Sequence, residues 1–153
     1  DYFFYEEKKF FDHKRKGLFI ETAEVFGYNY GTPKKFVEER LIKGRDIIFD
    51  IDWQGTQKLA SYSKTDLVSI FILPPSTKDL ESRLKKRAED SVNTVRNRMS
   101  KAKAEISHWI EYDYVLVNDN LELCIKKIQN IISVERLKRH RQFSIFDFVN
   151  SLI

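Results

Sequence analysis

Apolar residues along the chain switch between two patterns. Three short runs rich in β-branched residues, at positions 46–50, 67–73 and 112–117, are nearly continuous, and a polar or proline-containing stop follows each. Continuous apolar runs of this length predict strands covered on both faces. Between and after them, apolar positions recur at helical spacing over residues 53–62, 76–88, 92–110 and 121–139. Strands alternating with helices predict right-handed crossovers and a parallel sheet, the α/β class. Ser76 follows Pro74 and Pro75 and stands three residues ahead of Asp79, the place of a helix N-cap.

The first 44 residues have a different rhythm. A short aromatic strand at 2–4 precedes a helix over 6–16, then two strand-like pieces, 18–26 and 28–30, meet at Gly27. Pro33 is placed as the first residue of a helix that runs to Lys43. This reads as a small mixed α+β insert feeding a parallel core. The expected organisation is an insert at 1–44, core at 45–82, a hinge-like region at 83–100, and core with C-terminal helices at 101–153.

Composition narrows the class. Hydrophobic residues make up 42% and charged residues 33% of the 153 positions, the mixture of a globular domain. Charges interrupt every apolar run before it reaches membrane-spanning length, and no secretion signal is expected at the start. The single cysteine, Cys124, cannot form an internal disulfide, which fits a reducing cytoplasm; its neighbours Leu121, Leu123, Ile125 and Ile128 predict a core position. A net charge of +4 suits phosphorylated small molecules as well as nucleic acid. The basic tract 136–141 reads as a solvated helix face, because it lacks the aromatics of a base-stacking platform.

Three constellations carry candidate chemistry. Asp50 and Asp52 would project to one side at the carboxyl end of a strand, where open parallel sheets place ligands. They would meet a cation or ligand donors there, or cap the next helix. Arg83 and Arg87 share a helix face, with Arg96 and Arg98 soon after. Such a cluster suits dispersal of phosphoryl charge, or it is a solvated cationic face. In the stretch from Glu21 to Thr32, a carboxylate could accept two hydrogen bonds from adjacent N–H groups, and Tyr30 could donate to a phosphate. A plain hairpin with an exposed acid is the alternative.

Taken together and in order, these passages resemble the guanylate kinase family of bacterial type. The matching motifs are Asp1-Tyr-x-Phe, Phe19-Ile-Glu-x-Ala-Glu-Val-Phe-Gly, Tyr30-Gly-Thr, Asp50-Ile-Asp-Trp-Gln-Gly, Ile70-Phe-Ile-Leu-Pro-Pro-Ser, Glu111-Tyr-Asp-Tyr and Val117-Asn-Asp. The resemblance implies a P-loop nucleoside monophosphate kinase-like core with a GMP-binding insert, ATP and GMP as substrates, and Mg2+ arriving with ATP. It implies that Glu21, Thr32 and Asp52 bind the guanine base and that Tyr2 and Tyr30 hold the GMP phosphate. Arg83, Arg87 and Arg98 would surround the transferred phosphoryl group from a lid, Asn118 would lie near the ATP nucleoside, and Asp50 at the metal-proximal edge. Neither a nucleic-acid nor a membrane partner is implied.

Two departures from the family pattern stand out. Ala88 replaces a frequent glycine after the second lid arginine, which stiffens a hinge. The 153 residues also contain no G-x-x-x-x-G-K-[ST] phosphate cradle. The expectation is therefore that the cradle and the central first strand lie upstream of Asp1, and that this chain alone lacks kinase activity. A non-catalytic ligand- or phosphopeptide-binding module of guanylate-kinase type is the alternative.

Overall fold

The computed structural model describes residues 3–25, 27–87 and 92–153. The chain divides into two compact units, Asp1–Leu67 and Val68–Ile153.

In the first unit, α1 (Glu7–Arg15) opens with an acidic residue and closes with His13, Lys14 and Arg15, complementing the helix dipole at both ends. The Gly17 amide donates to the Lys14 carbonyl and the Leu18 amide to that of His13, so the helix stops in a Schellman motif with Gly17 at φ 63°. The hairpin follows: β1 (Phe19–Val25) pairs antiparallel with β2 (Tyr28–Pro33). Pro33 then stands as N-cap of α2 (Lys34–Ile42), one position outside the place the sequence predicts. After an irregular stretch comes α3 (Trp53–Ser63), which packs on β1. Among the described residues of this unit, Phe10, Phe19, Val37 and Leu59 are the buried large apolar side chains, with the rings of Phe10 and Phe19 stacked 5.0 Å apart.

The second unit is built on two parallel strands, β3 (Ile70–Leu73) and β4 (Tyr114–Val117), in register from Ile70↔Tyr114 to Leu73↔Val117. Between them run α4 (Thr77–Arg87) and α5 (Val92–Ser107), then a 3-10 turn, Trp109–Glu111. After β4 come α6 (Leu121–Arg136), a second 3-10 turn at Arg139–Arg141, and α7 (Ile145–Asn150). Ser76 caps α4 as expected: its Oγ accepts from the Asp79 amide at 3.0 Å and its hydroxyl donates to the Asp79 carboxylate. Cys124 is buried, as its apolar neighbours indicate.

Two predicted strands are not formed. Phe3 and Phe4 belong to no strand, and Phe4 is 96% exposed; Tyr2 lies outside the described residues. Residues 46–50 carry no strand either, although their composition is that of a buried one. A strand exists only through its ladder, and no described strand pairs with this segment, so Ile48 stands 89% exposed. The placing of Asp50 and Asp52 on one side of a strand end falls with it.

The basic tract is also more than a solvated face. Glu135 is buried at 3% exposure, and around it gather the Tyr114 hydroxyl at 2.6 Å, the Lys138 ammonium at 2.8 Å and the Arg141 guanidinium at 3.6 Å. The Lys138 hydrogen bond, then that from Tyr114, holds the Glu135 carboxyl below its ordinary value, and the same bond raises Lys138. Stability from the depressed carboxyl is present above its unfolded value and is lost as pH falls through the folded one. Stability from the raised ammonium is present below its unfolded value and is lost as pH rises through the folded one. Melting curves across pH should therefore show a plateau that falls away at both ends. Glu135→Gln should lower the plateau melting temperature by about 3–10 °C and reduce the acid-side slope. An unchanged melting temperature would show that the cluster contributes nothing.

Candidate functional site

In the first unit, the strand pairing itself assembles the centre of the candidate site. Glu21 on β1 is 7% exposed, and its Oε1 accepts from the Thr32 hydroxyl on β2 at 2.7 Å. Among the described residues no lysine or arginine pairs with Glu21. A carboxylate removed from water with one protein donor still has acceptor capacity, which adjacent ligand N–H groups can fill. The structure thus removes the reading of Glu21 as an exposed hairpin acid. Tyr30, two residues before Thr32, is 42% exposed, leaving its ring open to solvent.

Asp52 is the N-cap of α3: its Oδ1 accepts from the Gly55 amide at 2.9 Å. The capping alternative therefore holds for Asp52, and the cap fixes the carboxylate at the positive end of a helix. Asp50 is exposed in the irregular stretch before it. Lys58, which the sequence reading did not single out, reaches from α3 to donate to the Thr22 carbonyl at 2.9 Å. It lies five residues after Trp53, and nothing in that spacing signals a partner thirty-six residues away.

In the second unit, two of the predicted residues meet. The Arg83 guanidinium donates through Nη2 to the Asn118 carbonyl oxygen at 2.9 Å. The Asn118 amide in turn donates to the Leu73 carbonyl at 2.8 Å, continuing the β3–β4 pairing by one rung. Arg83 is thereby anchored at the carboxyl end of both strands, the end where parallel sheets present ligands. Arg87 ends α4, with its side chain outside the description; Arg98 is half-buried on α5, and Ala88 lies outside the described residues. The motif residue Asp113 has a structural part: its Oδ2 accepts from the Ser69 amide at 2.8 Å and from the Ser69 hydroxyl at 2.7 Å. The Asp113 amide donates back to Ser69 Oγ at 3.0 Å, which locks the start of β3 to the start of β4.

Among the described residues no helix is long and apolar enough to cross a membrane, and no three His, Cys, Asp or Glu side chains gather as a metal cluster.

A guanylate kinase family model matches residues 1–135. Guanylate kinase of Paramagnetospirillum magneticum is 52% identical over 152 residues, covering 99% of this chain and 71% of the relative. Guanylate kinase of Novosphingobium aromaticivorans is 48% identical over 153 residues, covering all of this chain and 69% of the relative. Among solved structures, guanylate kinase from Anaplasma phagocytophilum superposes with a TM-score of 0.79 at 37% identity, over 99% of this chain and 73% of that one.

The Thr32 hydroxyl is the donor on which Glu21 relies inside the protein. Thr32→Val should destabilise the chain by about 1–3 kcal/mol in urea denaturation, and Thr32→Ser should retain most of that stability. Equal stability of the two variants would show that the bond carries no weight.

Proposed function

The chain belongs to the guanylate kinase family, and from that premise we propose which of its residues bind GMP and which attend the phosphoryl group. Guanylate kinases are nucleoside monophosphate kinases, transferring the γ-phosphoryl group of ATP to GMP. The observation that carries the base assignment is the buried, incompletely partnered carboxylate of Glu21. Guanine offers N–H donors at N1 and at the exocyclic N2, which pair with a carboxylate. Adenine has no proton at N1 and no N2 amine, so it would leave the acceptor unfilled, and an unpaired buried group discriminates strongly. Thr32 orients Glu21 and hydrogen-bonds the base, and Asp52, held by its own cap, closes the pocket. Tyr2 and Tyr30 donate to the GMP phosphate, so residues 1–44 act as the GMP-binding part.

Arg83, Arg87 and Arg98 disperse charge on the transferred group, in a lid region at 83–100. A guanidinium has five donors, so the bond from Arg83 to Asn118 leaves others for phosphate oxygens. Asn118 lies by the ATP nucleoside. Mg2+ prefers phosphate oxygens and water with one or two carboxylates, and the described residues, which gather no dedicated cluster, suit an ion that travels with ATP. Asp50 is the carboxylate that would stand at its edge, and the ion would supply neutralisation of phosphate charge. The protein contributes positioning and electrostatics, and no residue need act as a base or nucleophile.

Calorimetric titration tests the base assignment. The chain should bind GMP well above AMP, and Glu21→Gln should weaken GMP by about 1–3 kcal/mol. Equal affinity for the two nucleotides would remove Glu21 from the role. For the phosphate, Tyr30→Phe should lower GMP affinity and leave guanosine affinity unchanged. Equal losses for both ligands would make Tyr30 a packing residue.

A further inference from the structure

We propose that Gly31 is a positioning residue for purine selectivity: without a side chain it passes the Phe19 ring in the shifted register that brings Glu21 opposite Thr32. The inference rests on the reading of Glu21 given above and adds what holds it in place.

The hairpin pairs Phe19 with Pro33 but Thr22 with Gly31, so Ile20 and Glu21 on β1 stand against Thr32 alone on β2. Had the Phe19↔Pro33 register run on, Glu21 would lie opposite Gly31, which has no side chain to donate. The extra residue moves Glu21 across from Thr32 instead, and the 2.7 Å hydrogen bond follows. Re-aiming one side chain next to a binding site is a recurrent use of such bulges.

The Phe19 ring is what makes a residue without a side chain necessary at position 31. Its ring is buried, stacked on Phe10 at 5.0 Å and met edge-on by Tyr5 at 6.2 Å, so it has little room to move. A Cβ added at Gly31 would lie 3.0 Å from both Cγ and Cδ1 of that ring. The ring therefore occupies the space that any other residue at position 31 would need. Gly31 lets β2 pass beneath it, immediately before Thr32, and the bulge at Ile20 and Glu21 directly follows Phe19. To admit a methyl at position 31 the contact must give by a few tenths of an ångström, and with the ring held by Phe10 and Tyr5 that shift falls on β2 next to Thr32.

The experiment measures GMP and AMP dissociation constants by calorimetry, with melting curves, for four proteins: the chain as it is, Glu21→Gln, Gly31→Ala, and Phe19→Ala/Gly31→Ala. In the last, the atoms that the methyl would strike are gone. Gly31→Ala should reduce the GMP-over-AMP preference about tenfold or more. The double variant should regain that preference despite a lower melting temperature, a rescue that a merely stabilising contact would not give. Undiminished preference in Gly31→Ala overturns the proposal, as does a double variant that folds without regaining it. Should Gly31→Ala fail to fold, a folded, selective double variant supports the proposal, and failure of both makes the contact a folding contact only and overturns it. If Glu21→Gln keeps the preference, the base assignment itself fails, whatever Gly31→Ala does.

Discussion

A carboxylate taken out of water must find donors, and how this protein meets that demand in two places organises most of what it does. Glu135 meets it inside the chain, with a hydroxyl and two cations drawn around one side chain. Glu21 meets it only in part, with a single threonine. A satisfied buried charge is a structural device; an unsatisfied one is an invitation to a ligand that carries the missing donors. The same residue type is thus fully partnered in one unit and, in the proposed reading, left open for recognition in the other, and the count of donors separates them.

Local chemistry was the legible part of the sequence. The Ser76 cap, the helix after Pro33, the two strands of the hairpin and the existence of β3 and β4 all follow from nearest-neighbour rules: side-chain caps, proline geometry and apolar runs. Residues 46–50 show the limit of those rules. Their composition says strand, but pairing is a property of two segments, and composition describes one.

The candidate site divides along the same line. Glu21, Thr32, Arg83 and Asn118 could be singled out by residue type and motif, and the structure joins them in pairs, Glu21 with Thr32 and Arg83 with Asn118. Asp52 kept the capping role that its position before a helix also allowed. The contacts of Glu135 with Tyr114 and of Lys58 with Thr22 were illegible, because each joins elements far apart in sequence, with no periodicity to announce it. The basic tract is solvated over residues 136–140, as its composition says, and what composition left out is that Lys138 and Arg141 also reach the buried Glu135.

The reciprocal bonds between Ser69 and Asp113 have a consequence for how the second unit forms. A parallel pair cannot be closed by a tight turn, and these partners lie 44 residues apart. Bringing such ends together costs on the order of 3 kcal/mol of chain entropy before any rung of the ladder forms. The three hydrogen bonds of the clamp can be made together in one alignment only, since a slip by a single residue would present Tyr112 or Tyr114 to Ser69 in place of the acid. The clamp therefore acts as a proofreader of chain assembly, rewarding the encounter that is in step and giving nothing to its neighbours.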